Sequence, residues 1–164
     1  MTRRIGAALP PAMVERLAQG DLPARLGVGL PLVTLDREGR PHPMLLSYLE
    51  VRAYDPTSVG IVIQAGSSSA RNLRERETGT LVIVEPDLIA YVKLAHVEGP
   101  LPIEDQPRLV YFLLEVKEVL EDAAADWEEG MGITEAIRYA PVPTLAEPWA
   151  RATLAALAAP RARA

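Results

Sequence analysis

Residues 61–85 read IVIQAGSSSARNLRERETGTLVIVE, and the fold turns on how this stretch is parsed. An apolar run stops at Gly66. Three serines follow, then a charged segment, then a second apolar run. The pattern predicts a buried strand, a turn, a short helix over 69–77 and another buried strand. Two readings of the serines are open. Serine is a favoured N-cap, because its hydroxyl accepts an otherwise unpaired amide of the first turn. The same turn can instead hold an anion. A helix start exposes unpaired N–H groups and the positive end of the helix dipole. Gly66 permits close backbone approach, serine hydroxyls add donors, and Arg71 can offer a planar fork to phosphate oxygens. Such a donor set makes a phosphate site without a Walker-type lysine.

Working outward, Pro10 and Pro11 open a helix over about 10–20, with Met13, Val14 and Leu17 on one face and Gly20 at its end. A strand over 28–36 leads into the turn DREGR, where Gly39 suits a tight reversal. The segment PHPMLLSYLEVRAY reads as one second strand, and its leading prolines suit an edge or strand start. DPTS is the next turn, VGIVIQA the third strand and TLVIVE the fourth. After a break at Pro86-Asp87, LIAYVKLAHV is the fifth. GPLPIEDQP reads as a proline-rich loop. The sixth strand, RLVYFLLEVKEVL, puts Val110, Phe112, Leu114 and Val116 on one side of the pleat. One or two helices are expected between 122 and 138. A last helix follows Pro148, with Leu145, Trp149, Thr153 and Leu157 recurring every four residues. Six strands with short turns and one short inserted helix predict a mostly β fold, an antiparallel barrel with flanking helices. We expect one domain over 1–164, with a barrel core at about 28–120 and C-terminal helices over about 122–159.

Composition narrows the classes. The 164 residues are 49% hydrophobic and 24% charged, as in a soluble globular domain that can bury a substantial core. There is no cysteine, which excludes disulfides, thiolate metal sites and a cysteine nucleophile and suits a cytoplasmic location. The N-terminal apolar stretch is short and broken by prolines, so no signal peptide is read there. No apolar run approaches the roughly 20 residues of a membrane span. A net charge of -5 argues against general nucleic-acid binding. No G-x-G-x-x-G follows a strand, so the dinucleotide fingerprint is absent.

The order of elements, GLPLVTLDREGRPHPMLLSY followed by residues 61–85, resembles the FMN-binding split β-barrel family. This is the pyridoxamine-phosphate-oxidase-like group, which also holds flavin-reductase-like members. The residues that carry the resemblance are Gly39-Arg40-Pro41, Ser67 to Ser69, Arg71-Asn72-Leu73 and the apolar strand Leu81 to Val84. It covers about 28–119. It implies a six-stranded split barrel and a homodimer with FMN at the subunit interface, the flavin phosphate lying on the turn before the short helix. On that basis Ser67, Ser68, Ser69, Arg71 and Asn72 are the phosphate candidates. The second strand would pass the flavin ring, which makes Met44, Leu46, Ser47 and Tyr48 candidates. Pyridoxamine phosphate oxidases proper have an Arg-Lys pair where this chain has Ser68-Ser69, and their C-terminal substrate pattern is not found. Oxidation of a B6 vitamer is therefore not expected.

Other residues carry less. Lys93 interrupts an apolar strand on the same pleat side as Tyr91, either reaching a cofactor or facing solvent. His42 and His96 match no local metal-ligand spacing, so no metal site is expected. Should haem replace flavin, they become candidate axial ligands. Trp127 and Trp149 read as core packing or as covers for a ligand or partner. No residue has the look of an obligatory general acid or base. That suits an FMN-dependent oxidoreductase of unknown substrate, in which the flavin carries the chemistry. The alternatives are a flavin- or haem-binding module without turnover and a cofactor-less structural dimer.

Overall fold

In the computed structural model, residues 2–123 and 132–158 are described. Eight strands form one antiparallel sheet: β1 Thr2–Gly6, β2 Gly29–Leu35, β3 Pro41–Ser47, β4 Val51–Asp55, β5 Ser58–Gln64, β6 Thr78–Glu85, β7 Leu88–Pro102 and β8 Leu109–Asp122. Four helices accompany them: α1 Pro11–Leu17, α2 Leu22–Arg25, α3 Ser68–Arg76 and α4 Pro148–Ala158. The strand order is β3-β2-β6-β7-β8-β5-β4, with β1 paired to the far end of β8.

The connection between β3 and β4 dictates the shape. These strands end the sheet, yet only Tyr48, Leu49 and Glu50 separate them, as a 3-10 turn. Laid flat, six inter-strand spacings would put the end strands about 29 Å apart. Four peptide steps reach at most about 14 Å. The sheet therefore rolls round its own core, with a split where the end strands meet. Its inner face carries Leu30, Leu32, Leu46, Ile61, Ile63, Leu81, Ile83, Val92, Phe112, Leu114 and Val119, all buried.

The fold class is the expected one, but four details differ from the sequence reading. The sheet has eight strands rather than six. β1 was missed because its residues are almost all exposed and show no alternation. It is held by its ladder to β8 and by surface ion pairs from Arg3 to Glu121 and Arg4 to Glu118. The expected single second strand is two, split at the 3-10 turn. Ser47-Tyr48-Leu49-Glu50 is a capping box, in which Ser47 and Glu50 bond reciprocally and turn the chain. β7 runs on through Gly99 and Pro100, absorbing the expected loop by slipping register near Lys93, Glu98 and Leu101. Residues 132–138 are not helical. The rest of the helical span expected between 122 and 138, residues 124–131 with Trp127, lies outside the described residues.

The flanking helices follow their apolar spacing. Met13 and Leu17 of α1 are buried. The helix stops before Gly20, because Gln19 takes the left-handed φ of 66° and sends its amide to the carbonyls of Tyr48, Leu49 and Val51. α4 buries Ala150, Thr153 and Leu157, with Leu145 and Trp149 packed beside the core. Leu157 joins Val62, Tyr111 and Leu113 in a smaller cluster. β8 and α4 are thus largely consumed within the chain. The apolar surface left over is elsewhere. Register places Pro31 opposite Leu45, Val82 opposite Tyr91 and Val84 opposite Ile89, all on the outer face of β3-β2-β6-β7. All six are half-exposed or exposed.

Candidate functional site

β5 ends at Gln64, and the chain turns into α3 through Ala65-Gly66-Ser67. Ser67 is the N-cap. Its backbone is extended, its Oγ accepts from the Ala70 amide at 3.1 Å, and its own N–H donates to the Gln64 carbonyl at 3.1 Å. At the other end Glu77 takes a left-handed φ of 57° and closes the helix onto Leu73. Arg74 and Arg76 lie in the last turn, where the dipole favours cations. Arg76 donates to the carbonyls of Asp36 and Arg37, which pins this end to the β2-β3 turn.

The serine turn therefore does cap a helix, and the cap uses only Ser67. The amides of Ser68 and Ser69 fall in the first turn, where no helical carbonyl can receive them. Arg71 is exposed and donates from Nη2 to Ser68 Oγ at 3.3 Å. A Cβ built on Gly66 would meet no atom within 4 Å, so the approach to these donors is open. Two backbone amides, one hydroxyl and one guanidinium at a helix start fit a phosphate monoester in charge and in donor count.

Two of the predicted phosphate residues face inward instead. Ser69 is 1% exposed and Asn72 is 2% exposed. Asn72 Nδ2 donates to Thr34 Oγ1 at 3.0 Å, and Thr34 donates on to the His42 carbonyl at 3.2 Å. Asn72 thereby ties α3 to the β2-β3 hairpin. Lys93 lies on the outer face of β7, half-exposed, with its ammonium 2.7 Å from Glu118. Lys93 and Arg4 both hold the Glu118 carboxyl below its ordinary value, Lys93 foremost through a direct hydrogen bond.

Ser47 joins a different cluster. Its N–H and its hydroxyl both donate to Glu50 Oε2, each at 2.8 Å. Burial pushes the Glu50 carboxyl above its ordinary value, and the two Ser47 bonds draw it part of the way back. These residues line a cleft of about 310 Å3 with Leu45, Tyr139, Pro141 and Trp149. The segment over the cleft docks by backbone bonds from Gly29 to Ile137 and from Tyr139 to Gly27, at 2.7 and 3.0 Å. Close approach is possible because both contact points are glycines. A Cβ on Gly27 would come within 2.8 Å of Val142, and one on Gly29 within 3.2 Å of Ile137. Burial also raises the Tyr139 hydroxyl, which is hydrogen-bonded to Ser47. Of the ring candidates, Leu46 and Ser47 border this cleft. Met44 packs at the edge of the core, and Tyr48 is buried.

Sequence reasoning missed a buried ionic cluster beneath the N-terminal helices. Glu85 accepts from Arg16 at 2.9 Å, from Arg25 at 3.1 Å and from the Tyr48 hydroxyl. Arg16 also reaches Asp87, and the Arg25 guanidinium sits 5.1 Å above the Tyr48 ring. Burial, then the Glu85 bond, push the Tyr48 hydroxyl well above its ordinary value. No local pattern announces this set, since Arg25 and Glu85 are 60 residues apart. Only the fit of α1 and α2 against the β6-β7 turn assembles it.

His96 Nε2 lies 3.0 Å from the Gly99 carbonyl, its ring edge-on to Phe112. His42 is on β3. Among the described residues no three His, Asp or Glu side chains gather as a metal site. No helix among them is long and apolar enough to cross a membrane.

No protein-family model matches the sequence, and no curated protein does. Solved structures do resemble the fold. A pyridoxamine 5'-phosphate oxidase-like protein of Lactobacillus delbrueckii superposes with a TM-score of 0.55 at 15% identity, over 71% of this chain and 98% of that one. An FMN-binding protein of Syntrophomonas wolfei gives 0.51 at 12% identity, over 70% and 91%. PhzG of Burkholderia lata, in complex with tetrahydrophenazine-1-carboxylic acid, gives 0.50 at 15% identity, over 72% and 82%. At these identities the likeness is one of architecture: the chain has the FMN-binding split-barrel fold of the pyridoxamine-phosphate-oxidase-like group.

Proposed function

We propose that the chain binds FMN, with the phosphate on the serine turn, and acts as a flavin-dependent oxidoreductase. The observation that carries this reading is the open donor set at the start of α3. Ser67 completes the cap, which leaves Ser68, the Ser69 amide and the exposed Arg71 available to a ligand. The fold is compatible with it, since one structure of like architecture is an FMN-binding protein. A bound flavin would supply hydride or electron transfer, and the protein would bind and orient it. One helix terminus suits one monophosphate, so FMN is preferred over FAD. Ser69 contributes its backbone only, and Asn72 supports the helix rather than touching the ligand.

We also propose a homodimer. Its support is the outer face of β3-β2-β6-β7, where Val33, Leu45, Val82, Ile89 and Tyr91 form a half-exposed to exposed apolar surface. Exposed patches of this kind mark contact surfaces. Replacing Leu45 and Tyr91 with lysine should yield monomers in sedimentation equilibrium. A wild-type monomer at micromolar concentration would remove the dimer.

The phosphate site is tested by comparing FMN with riboflavin, which lacks the phosphate. Arg71→Ala removes a charge-assisted contact of about 1.5–3 kcal/mol. FMN affinity should fall roughly 10- to 150-fold while riboflavin affinity holds. Equal loss of both, or no loss of either, would leave the serine turn as a helix start and nothing more.

A further inference from the structure

We propose that the cleft between the end of β3 and the 137–149 segment binds a flat aromatic amine, with its ring between Tyr139 and Trp149 and its ammonium on Glu50. The inference stands apart from the flavin reading. Three observations carry it. The cleft is about 310 Å3, at the lower end of small-molecule pockets, which run from roughly 300 to 1,000 Å3. Its walls are leucine, proline and two aromatic rings, which favour a flat apolar body.

The third observation is charge. Both Ser47 donors fall on Glu50 Oε2, so Oε1 is left to other donors. A second carboxylate, Glu147, accepts from Nε1 of Trp149, a residue of the cleft wall, at 2.6 Å. Among the described residues no lysine or arginine lines the cleft. A half-buried carboxylate with an acidic neighbour and no cation in its walls favours a cationic guest. Burial raises the Glu50 carboxyl above its ordinary value. A bound ammonium would hold it ionised.

Calorimetry with two probes tests this. Tryptamine carries the ring and the ammonium, and 3-ethylindole carries the ring alone. The wild type should bind tryptamine at least about tenfold more tightly. Glu50→Gln, which keeps an acceptor for Ser47, should lower tryptamine affinity about tenfold and leave 3-ethylindole unchanged. Trp149→Leu should weaken both probes together. The wild-type comparison needs no variant, so it decides the matter even if Glu50→Gln fails to fold. Equal affinity for the two probes would overturn the proposal, as would no saturation by tryptamine below about 10 mM. So would competitive displacement of tryptamine by riboflavin, which would assign the cleft to a flavin ring.

Discussion

Asn72 and Thr34 are joined by a 3.0 Å hydrogen bond between side chains that are both almost completely buried. One lies in the middle of α3 and the other near the end of β2, so the bond sets the seat of the helix on the hairpin. Asn72→Ala leaves the Thr34 hydroxyl without this partner and should cost about 1–3 kcal/mol of stability. If Asn72 only positions α3, FMN and riboflavin affinities should change by the same factor. Urea denaturation and two flavin titrations measure the effect. A selective loss of FMN would return Asn72 to the phosphate site.

Glu85 is the hub of three donors, two of them guanidinium groups with little exposure. Removing it takes a charged acceptor from two part-buried arginines, of which Arg16 keeps Asp87, and a hydrogen bond to a charged group typically contributes about 1.5–3 kcal/mol. Glu85→Ala should therefore destabilise more than Tyr48→Phe, which removes one neutral donor and should cost about 1–3 kcal/mol. Guanidinium melts of the two variants give the order directly.

Thr153 Oγ1 is buried in α4 and has no hydrogen-bond partner among the described residues. An unpaired buried hydroxyl carries its desolvation cost with no return. Thr153→Val keeps the branched shape and removes that cost, so the melting temperature should hold or rise. A clear fall would point to a hydroxyl partner.

Glu50 sets a pH dependence whose sign follows from its raised carboxyl. The folded chain keeps this proton at pH values where the unfolded chain has released it. The stabilisation is complete below the ordinary glutamate value and is lost as pH rises through the folded one. Glu50→Gln has no such loss. The melting temperature of the variant minus that of the wild type should therefore increase between about pH 4 and pH 7. A flat difference across that range would show the Glu50 carboxyl to be unshifted.

The opening serine question has a divided answer, and the division follows residue by residue. Local pattern was enough to place a short serine-capped helix one residue from where it lies, 69–77 against Ser68–Arg76, because capping depends on residues within one turn. It was enough for the face of α4 and for the inward side of β8, because burial writes its period into adjacent positions. The Ser47–Glu50 capping box is also legible as S-x-x-E, and it divides the expected second strand.

Other features rest on contacts between residues far apart in the chain. Asn72 and Arg71 are neighbours with opposite fates, because the seat of α3 on β2 decides which side chain meets Thr34 and which meets solvent. Lys93 looked free until β8 placed Glu118 beside it. The polar β1 is a strand only because the far end of β8 offers it an edge. Sequence alone determined most of the apolar strands, the helices α1, α3 and α4, and the faces these bury. The tertiary structure decided the partners of each polar side chain, because those partners come from strands and helices that only the rolled sheet brings together.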